Sequence, residues 1–257
     1  MKRKTLRGLY SPELLEARIA PATFLVTTLA DAGAGSLRAA IDGIGGVGGA
    51  NDSAGADTIT FSPALFLGTL PVVITLTTGE IPISDTITIK GPGIDKLTIS
   101  GNNTSRIFNI ADGNSAVLHP ATISGITFVD GNAGAGSSGG AILSRESLSL
   151  TNAIVHSSVA GNYGGGLVLD PDGTTAVVTV TGSKFLDNFS GSIAGGLVVF
   201  GNNIATIVTI KNSLISGNIA LSKGGGLYLN ATGPTVTLPG TKVIGNWAPT
   251  SPNIFPS

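Results

Sequence analysis

The segment GNIALSKGGGLYLN, which runs from Gly217 to Asn230, decides the fold because it places glycines where an alternating apolar strand begins. Glycine weakens the interior of a strand, so these residues need an explanation beyond local strand preference. A glycine pair followed by an apolar run occurs four times, in GGAILS from 139, GGLVLD from 165, GGLVVF from 195 and GGLYLN from 225. The recurrence indicates a repeat in which the glycines have the same position in every unit.

The repeat has a nearly constant length. After each glycine pair, the second strand-like run ends at an asparagine, at 162, 188, 218 or 246, and an earlier run ends at Asn132. The first glycine precedes this asparagine by 23 residues in three units and by 21 in the last, and seven residues usually lead on to the next pair. A period of about 30 residues is typical of solenoids and other repeat architectures.

A coil of β-strands explains this period. Each unit has two or three runs with period-two alternation, such as LVVF and IVTIKNSLI, which are separated by Gly, Asn, Asp and Ser. No segment shows a long 3.6-residue period, so the helices that usually connect parallel strands are missing. The pattern therefore predicts an all-β fold, a single-stranded parallel β-helix of roughly six coils in which each strand stacks on its counterpart one coil earlier.

The repeated glycines and asparagines are predicted to stack into structural ladders at the corners of the coils. The amide of each asparagine can hydrogen-bond to the asparagines above and below it, and asparagine tolerates the left-handed backbone of a turn. Paired glycines supply positive φ and allow neighbouring backbones to approach closely. The predicted ladder residues are Asn132, Asn162, Asn188, Asn218, Asn246, Gly140, Gly166, Gly196 and Gly226.

The two ends of the chain differ from the repeats. Leu37, Ala40 and Ile41 have the spacing of a short amphipathic helix, which is suited to closing the N-terminal end of the core. The C-terminal end is rich in proline, which cannot continue a ladder, and Trp247 is expected to cover the last coil. The predicted divisions are a leader or disordered tail at 1–22 and one parallel β-helix at 23–257, with its cap at about 23–57, its coils at about 58–246 and its tail at 247–257.

Composition excludes several classes of function. The formal net charge is −1 and only 11% of the residues are charged, so no basic excess is available to bind nucleic acid. No run of eighteen apolar residues predicts a transmembrane span. Cysteine is absent, which excludes disulfides, thiolate metal sites and cysteine nucleophiles.

The repeats resemble those of a known bacterial family. GGA or GGL followed by an FxxN-like run resembles the polymorphic outer-membrane protein repeat, and GSLRAAI resembles the CSLRE-type motif at the start of right-handed parallel β-helix proteins, with Gly35 in the place of the cysteine. LLEARIAPATF is similar to the leader of large secreted or surface proteins in some bacteria. The resemblance implies a right-handed, pectin-lyase-like solenoid and a location outside the cell or at the outer membrane.

The sequence predicts no catalytic, cofactor-binding or metal-binding residue. The acids of the regular units are few and do not recur in register: Glu146, Asp170, Asp172 and Asp187. His119 and His156 lie in different coils without a partner motif, and each is expected to be an ordinary turn or surface residue. Lys184, Lys211 and Lys242 have similar positions in three units; solvated lysines along a sheet are favoured over a basic stripe.

Two functions remain open. The sequence favours a non-catalytic secreted or cell-surface protein in adhesion or envelope interaction, whose partner is a polysaccharide or a cell-surface ligand. The alternative is a carbohydrate-binding or polysaccharide-cleaving protein, since β-helices of this kind also include pectate lyases and polygalacturonases. Three ionisable groups that converge in a groove would favour the alternative.

Overall fold

The computed structural model describes residues 21–43, 49–51, 55–171, 175–201, 206–230 and 234–256. These ranges are nearly all β-structure, with 25 strands, one α-helix (α1, Leu37–Asp42) and one 3₁₀ helix (Pro63–Phe66). The predicted leader at 1–22 lies outside the described residues except for its last two positions. Within these ranges, no helix has the length and apolar character needed to cross a membrane.

Three long parallel sheets run along the molecule, and consecutive strands of the chain alternate between them. With strands numbered in chain order, sheet A contains β1 (Thr23–Val26), β2 (Asp57–Phe61), β5 (Ile87–Lys90), β8 (Ala121–Ser124), β11 (Leu148–Thr151), β15 (Val177–Thr181), β19 (Ile207–Lys211) and β23 (Thr235–Thr237). Sheet B contains β3 (Val72–Thr75), β6 (Leu97–Ser100), β9 (Thr127–Val129), β12 (Ile154–His156), β16 (Lys184–Leu186), β20 (Leu214–Ser216) and β24 (Lys242–Ile244).

Sheet C completes each coil, and its outer face carries the site described below. It contains β4 (Ile81–Ile83), β7 (Phe108–Ile110), β10 (Ile142–Ser144), β14 (Leu167–Leu169), β18 (Leu197–Val199), β22 (Leu227–Leu229) and β25 (Ile254–Pro256). A small fourth sheet links B to C at one corner, with β13 (Val159–Ala160), β17 (Phe189–Ser190) and β21 (Ile219–Ala220). The strands stack as a solenoid of about six turns, so the predicted parallel β-helix is confirmed.

Alternation along each strand builds the core. On sheet A, the inward positions of successive coils are Ile59, Ile89, Ile123, Leu150, Val180 and Ile210, and each of these side chains is fully buried. Each such burial stabilises the fold by about 1.5–3 kcal/mol. The outward positions between them carry hydroxyl groups, on Thr58, Thr88, Thr122, Ser149, Thr179, Thr209 and Thr237. The outer face of sheet A is therefore polar, as threonine-rich strands with one solvated face should be.

The N-terminal end of the core is closed by α1, as the sequence predicts. Leu37, Ala40 and Ile41 are buried, and the Ser36 side chain caps the helix by accepting a hydrogen bond from the Ala39 N–H. Arg38 fixes this cap to the first coil, because its guanidinium binds Asp31 Oδ1 at 2.8 Å and the carbonyl oxygen of Gly79 at 2.7 Å.

The C-terminal end differs from the expectation. Trp247 is 53% exposed and does not cover the last coil, because its backbone pairs with Ile219 at a position where side chains point outward. The proline-rich tail does continue a ladder, since Ile254–Pro256 pairs in parallel with β22. Proline is tolerated here because β25 is an edge strand, and an edge strand has one side without a hydrogen-bonded neighbour.

Candidate functional site

The structure brings three of the predicted asparagines together in one buried stack. Asn188 Nδ2 donates to Asn218 Oδ1 at 2.9 Å, and Asn218 Nδ2 donates to Asn246 Oδ1 at 2.8 Å. The same oxygens also accept the backbone N–H groups of Asn188 and Asn218, each at 3.0 Å. Each amide thus satisfies polar groups of its own coil and of the coil beside it, which is the requirement for burying them.

Asn132 and Asn162 lie outside this stack, which corrects the sequence-based ladder. Asn132 pairs with Val159 and is therefore one position past the equivalent of Asn188. Asn162 is four positions past it, and Ser158 occupies the ladder position in that coil, donating its N–H to Asn188 Oδ1 at 3.0 Å. The sequence-based alignment placed a four-residue deletion after Asn162, and this hid the equivalence of Ser158 and Asn188. The runs VA, FS and IA, which precede the glycines in the three coils, pair with one another and would have indicated it.

The glycines pack against the asparagine stack and not in left-handed turns. Gly166, Gly196 and Gly226 share one register position, but Gly140 is in register with Gly165, and Ala141 takes its expected place. A Cβ on Gly166 would lie 2.7 Å from the Gly196 carbonyl oxygen in the next coil. The positive φ angles belong to one register position, two residues before Ala141, Gly166, Gly196 and Gly226, which is occupied by Gly139, Gly164, Ala194 and Gly224. The ladder positions therefore require glycine because the backbones of neighbouring coils approach closely there, and not because φ is positive.

A groove on the outer face of sheet C is a candidate binding site. Its first cavity, of about 320 Å³, has an apolar floor and a polar rim. Leu143, Val168, Tyr163 and Phe200 form the floor, and the rim comprises Arg106, Ser137, Ser138, Arg145 and Asp170. Apolar and aromatic surface with a few convergent polar groups is the usual make-up of a ligand site. We name this cavity, together with the one described next, the sheet-C groove.

A second cavity, of about 370 Å³, extends the groove towards the N-terminal coils and shares Arg106 and Ser137 with the first. Arg106 shapes the boundary between them. Its guanidinium forms an ion pair with Glu80 and donates to the carbonyl oxygens of Gly139 and Ser138, each at 3.0 Å. Glu80 also accepts a hydrogen bond from Asn109 Nδ2 at 2.9 Å. Arg106 and Glu80 are thus held in place by the fold.

Aromatic rings continue the floor of the groove towards the C-terminal end. Tyr163 and Phe200 meet edge to face with ring centroids 5.3 Å apart, and Phe200 lies 5.9 Å from Tyr228. Tyr228 stacks on Phe255 at 5.4 Å, and the Lys223 ammonium group lies 4.5 Å from the Phe255 ring centre. Such contacts position each ring by its neighbours. The result is a row of aromatic side chains that crosses successive coils.

The other residues singled out in the sequence are dispersed. Asp170 lines the groove, Asp187 is exposed at a corner, and Asp172 lies outside the described residues. The lysines form no stripe, because Lys184 and Lys242 are separated by Leu214 on sheet B, and Lys211 lies on sheet A. Among the described lining residues each cavity has one carboxylate, whereas glycoside hydrolysis ordinarily requires two across the scissile bond.

Glu146 and His119 are not isolated, contrary to the expectation from sequence. Glu146 Oε2 accepts the backbone N–H of His119 at 2.9 Å, and the His119 ring lies 3.4 Å from Asp85 and 3.9 Å from Asp112. His156 Nδ1 lies 3.1 Å from the hydroxyl oxygen of the neighbouring Ser157. Sequence reasoning missed the cluster because the coils that carry it depart from the 30-residue period. Alignment on the strands of sheet A would have found it.

Comparison of the chain with protein-family models, with curated proteins and with solved structures gives no significant match.

Proposed function

We propose that the chain is a non-catalytic secreted or cell-surface β-helix protein that binds polysaccharide in the sheet-C groove, and so acts in adhesion or envelope interaction. The observation that carries this proposal is the union of an aromatic floor with a rim of hydroxyl, guanidinium and carboxylate groups. Sugar rings have apolar C–H faces and polar edges, and this surface complements both. The location outside the cell rests on the resemblance of the repeats to bacterial surface proteins.

The shape of the groove favours an extended ligand over a single small molecule. Two cavities meet at Arg106 and Ser137, and the aromatic row continues beyond them across later coils. A linear polysaccharide can occupy successive positions along such a surface, and each position adds contacts. Arg106 and Glu80 form an ion pair in the second cavity, and Arg145 and Asp170 are the further charged residues of the rim in the first.

Polysaccharide cleavage is the second candidate, and one observation favours it. Arg145 and Asp170 follow β10 and β14 at equivalent positions, so a guanidinium and a carboxylate are neighbours in the first cavity. An ionised carboxylate within reach of a substrate can act as a general base. The single carboxylate in each cavity, among the described lining residues, weighs against this candidate.

The test is retardation of the purified chain in gels containing acidic or neutral polysaccharides. Tyr163→Ala should weaken binding by about fivefold or more, because a central aromatic contact is typically worth over 1 kcal/mol. Trp247→Ala is the matched control, since it removes an exposed aromatic ring outside the groove. Thermal unfolding of both variants shows whether each remains folded.

Two outcomes decide between the candidates. If no polysaccharide retards the chain, or if Tyr163→Ala and Trp247→Ala bind as well as the wild type, the groove is not the binding site. New reducing ends or unsaturated products that disappear in Asp170→Asn would replace the binding function with cleavage.

A further inference from the structure

Three ionisable side chains stack at the corner between sheets C and A. Ile87, Ala121 and Leu148 are in register in β5, β8 and β11, and the residues two positions before them are Asp85, His119 and Glu146. His119 thus lies between carboxylates of the two adjacent coils, with Asp85 beside its ring and Glu146 at its backbone N–H. The next coil has Ala176 at this position, so the column is confined to these three coils.

The column fixes the irregular segment 111–120, which connects β7 to β8. Glu146 accepts the N–H of His119 at 2.9 Å near one end of this segment, and the Asp112 carboxylate, near the other end, lies 3.9 Å from the His119 ring. On the opposite side, the His119 ring contacts the Ser84 carbonyl oxygen at 3.0 Å and Asp85 at 3.4 Å. The column therefore contacts the segment near both of its ends.

Too many negative groups meet here for all of them to be ionised without cost. Glu146 is 4% exposed and Asp85 is 6% exposed, and the Asp112 carboxylate lies 3.9 Å from the His119 ring. Asp85 Oδ2 is buried without a hydrogen-bond partner among the described residues. The ionisable groups that meet at His119 are these three carboxylates; Arg145, next to Glu146 in the chain, lines the groove. Buried like charges favour retention of a proton.

We propose that Asp85, Asp112, His119 and Glu146 form a proton-operated clasp on the segment 111–120. A proton held by Glu146 keeps the segment closed against the corner. Loss of this proton as the pH rises leaves adjacent buried negative charges, whose repulsion and desolvation favour an open segment. The inference requires no ligand, so it does not depend on the polysaccharide-binding function.

The sign of the pH dependence follows from Glu146. Burial of its carboxyl group raises the pKa of Glu146 above the usual value, and the charge of Asp112 raises it further, while the N–H groups of His119 and Asp112 act in the opposite direction. A group with a higher pKa in the closed form binds more protons there than in the open form. The closed form is therefore fully favoured below the ordinary pKa of glutamate and loses stability as the pH rises through the raised pKa.

Hydrogen exchange at a series of pH values tests the clasp in the intact chain. The reporter is the amide of His119, which donates to Glu146, and the reference is the core amides of β11 and β15. After correction for the intrinsic exchange rate, reporter protection should fall with rising pH. The fall is about tenfold for each unit by which the pKa of Glu146 exceeds its value in the open form.

Two variants isolate the cause. Glu146→Gln keeps an acceptor for the backbone and donates to Asp112, so reporter protection should become independent of pH. Asp187→Asn removes a carboxylate from a distant, exposed corner, where asparagine tolerates the φ of 53°, and should keep the wild-type profile. The clasp is refuted if the wild-type reporter shows no fall relative to the core amides, or if Glu146→Gln retains the fall. The wild-type profile alone is decisive should the glutamine variant fail to fold.

Discussion

Replacing Asn218 with alanine is the sharpest test of the asparagine stack. The side chain is fully buried and receives two donors of Asn188, its backbone N–H at 3.0 Å and its amide Nδ2 at 2.9 Å. The variant leaves both donors without an acceptor in a closed interior. A buried donor without a partner costs about 1–3 kcal/mol, so two of them predict a loss of about 2–6 kcal/mol in the free energy of unfolding.

The assay is equilibrium unfolding in urea, followed by circular dichroism, with the midpoint and the slope compared between variants. Asn162→Ala is the control, because Asn162 lies four positions past the stack and has no recorded side-chain hydrogen bond to the described residues. Its expected effect is about 0.5 kcal/mol or less. Equal losses in the two variants, or a negligible loss for Asn218→Ala, would refute the structural role assigned to the stack.

Two further predictions concern the ladder glycines and the N-terminal cap. Gly196→Ala should lower the unfolding temperature clearly, because its Cβ would collide with the Gly226 carbonyl oxygen. Gly68→Ala is the control, since a Cβ there meets open space and should change the unfolding temperature little. Equal shifts in the two variants would contradict the close packing of the ladder glycines. Burial acts to raise the pKa of Asp31, but hydrogen bonds from Thr77, Arg38 and Thr78 outweigh it and lower the pKa to about 2. Because a lowered pKa stabilises the fold above the unfolded value and this stability is lost as the pH falls through the folded value, wild-type stability should decline between about pH 4 and pH 2. Asp31→Asn should be less stable at neutral pH and lack this part of the decline, as acid titration of the unfolding midpoint can show.

The fold was predictable because the same sequence pattern recurs in several coils. The glycine pairs and closing asparagines recur at nearly constant spacing, so the stacking of coils followed from spacing alone. The register of individual residues did not follow from the spacing, because insertions and deletions occur at corners, where they leave the strands intact. Gly140 and Asn162 were misaligned for this reason, while Asn188, Asn218 and Asn246 come from coils whose lengths differ by only two residues.

The groove and the clasp could not be predicted from the sequence because they depend on register across irregular coils. Tyr163 and Phe200 are 37 residues apart and meet only because a corner of one coil lies over a strand end of the next. Asp85, His119 and Glu146 are separated by 34 and 27 residues, so a fixed period of 30 does not align them. Their chemistry becomes visible only when the strands of sheet A fix the alignment.

The most direct measurement is a crystal structure of the chain with an oligosaccharide derived from a polysaccharide that retards it. The account predicts a sugar chain in the sheet-C groove, with a ring against Tyr163 and Phe200 and polar contacts to Ser137, Arg145 or Asp170. An oligosaccharide bound on the outer face of sheet A or sheet B, with the sheet-C groove empty, would contradict it.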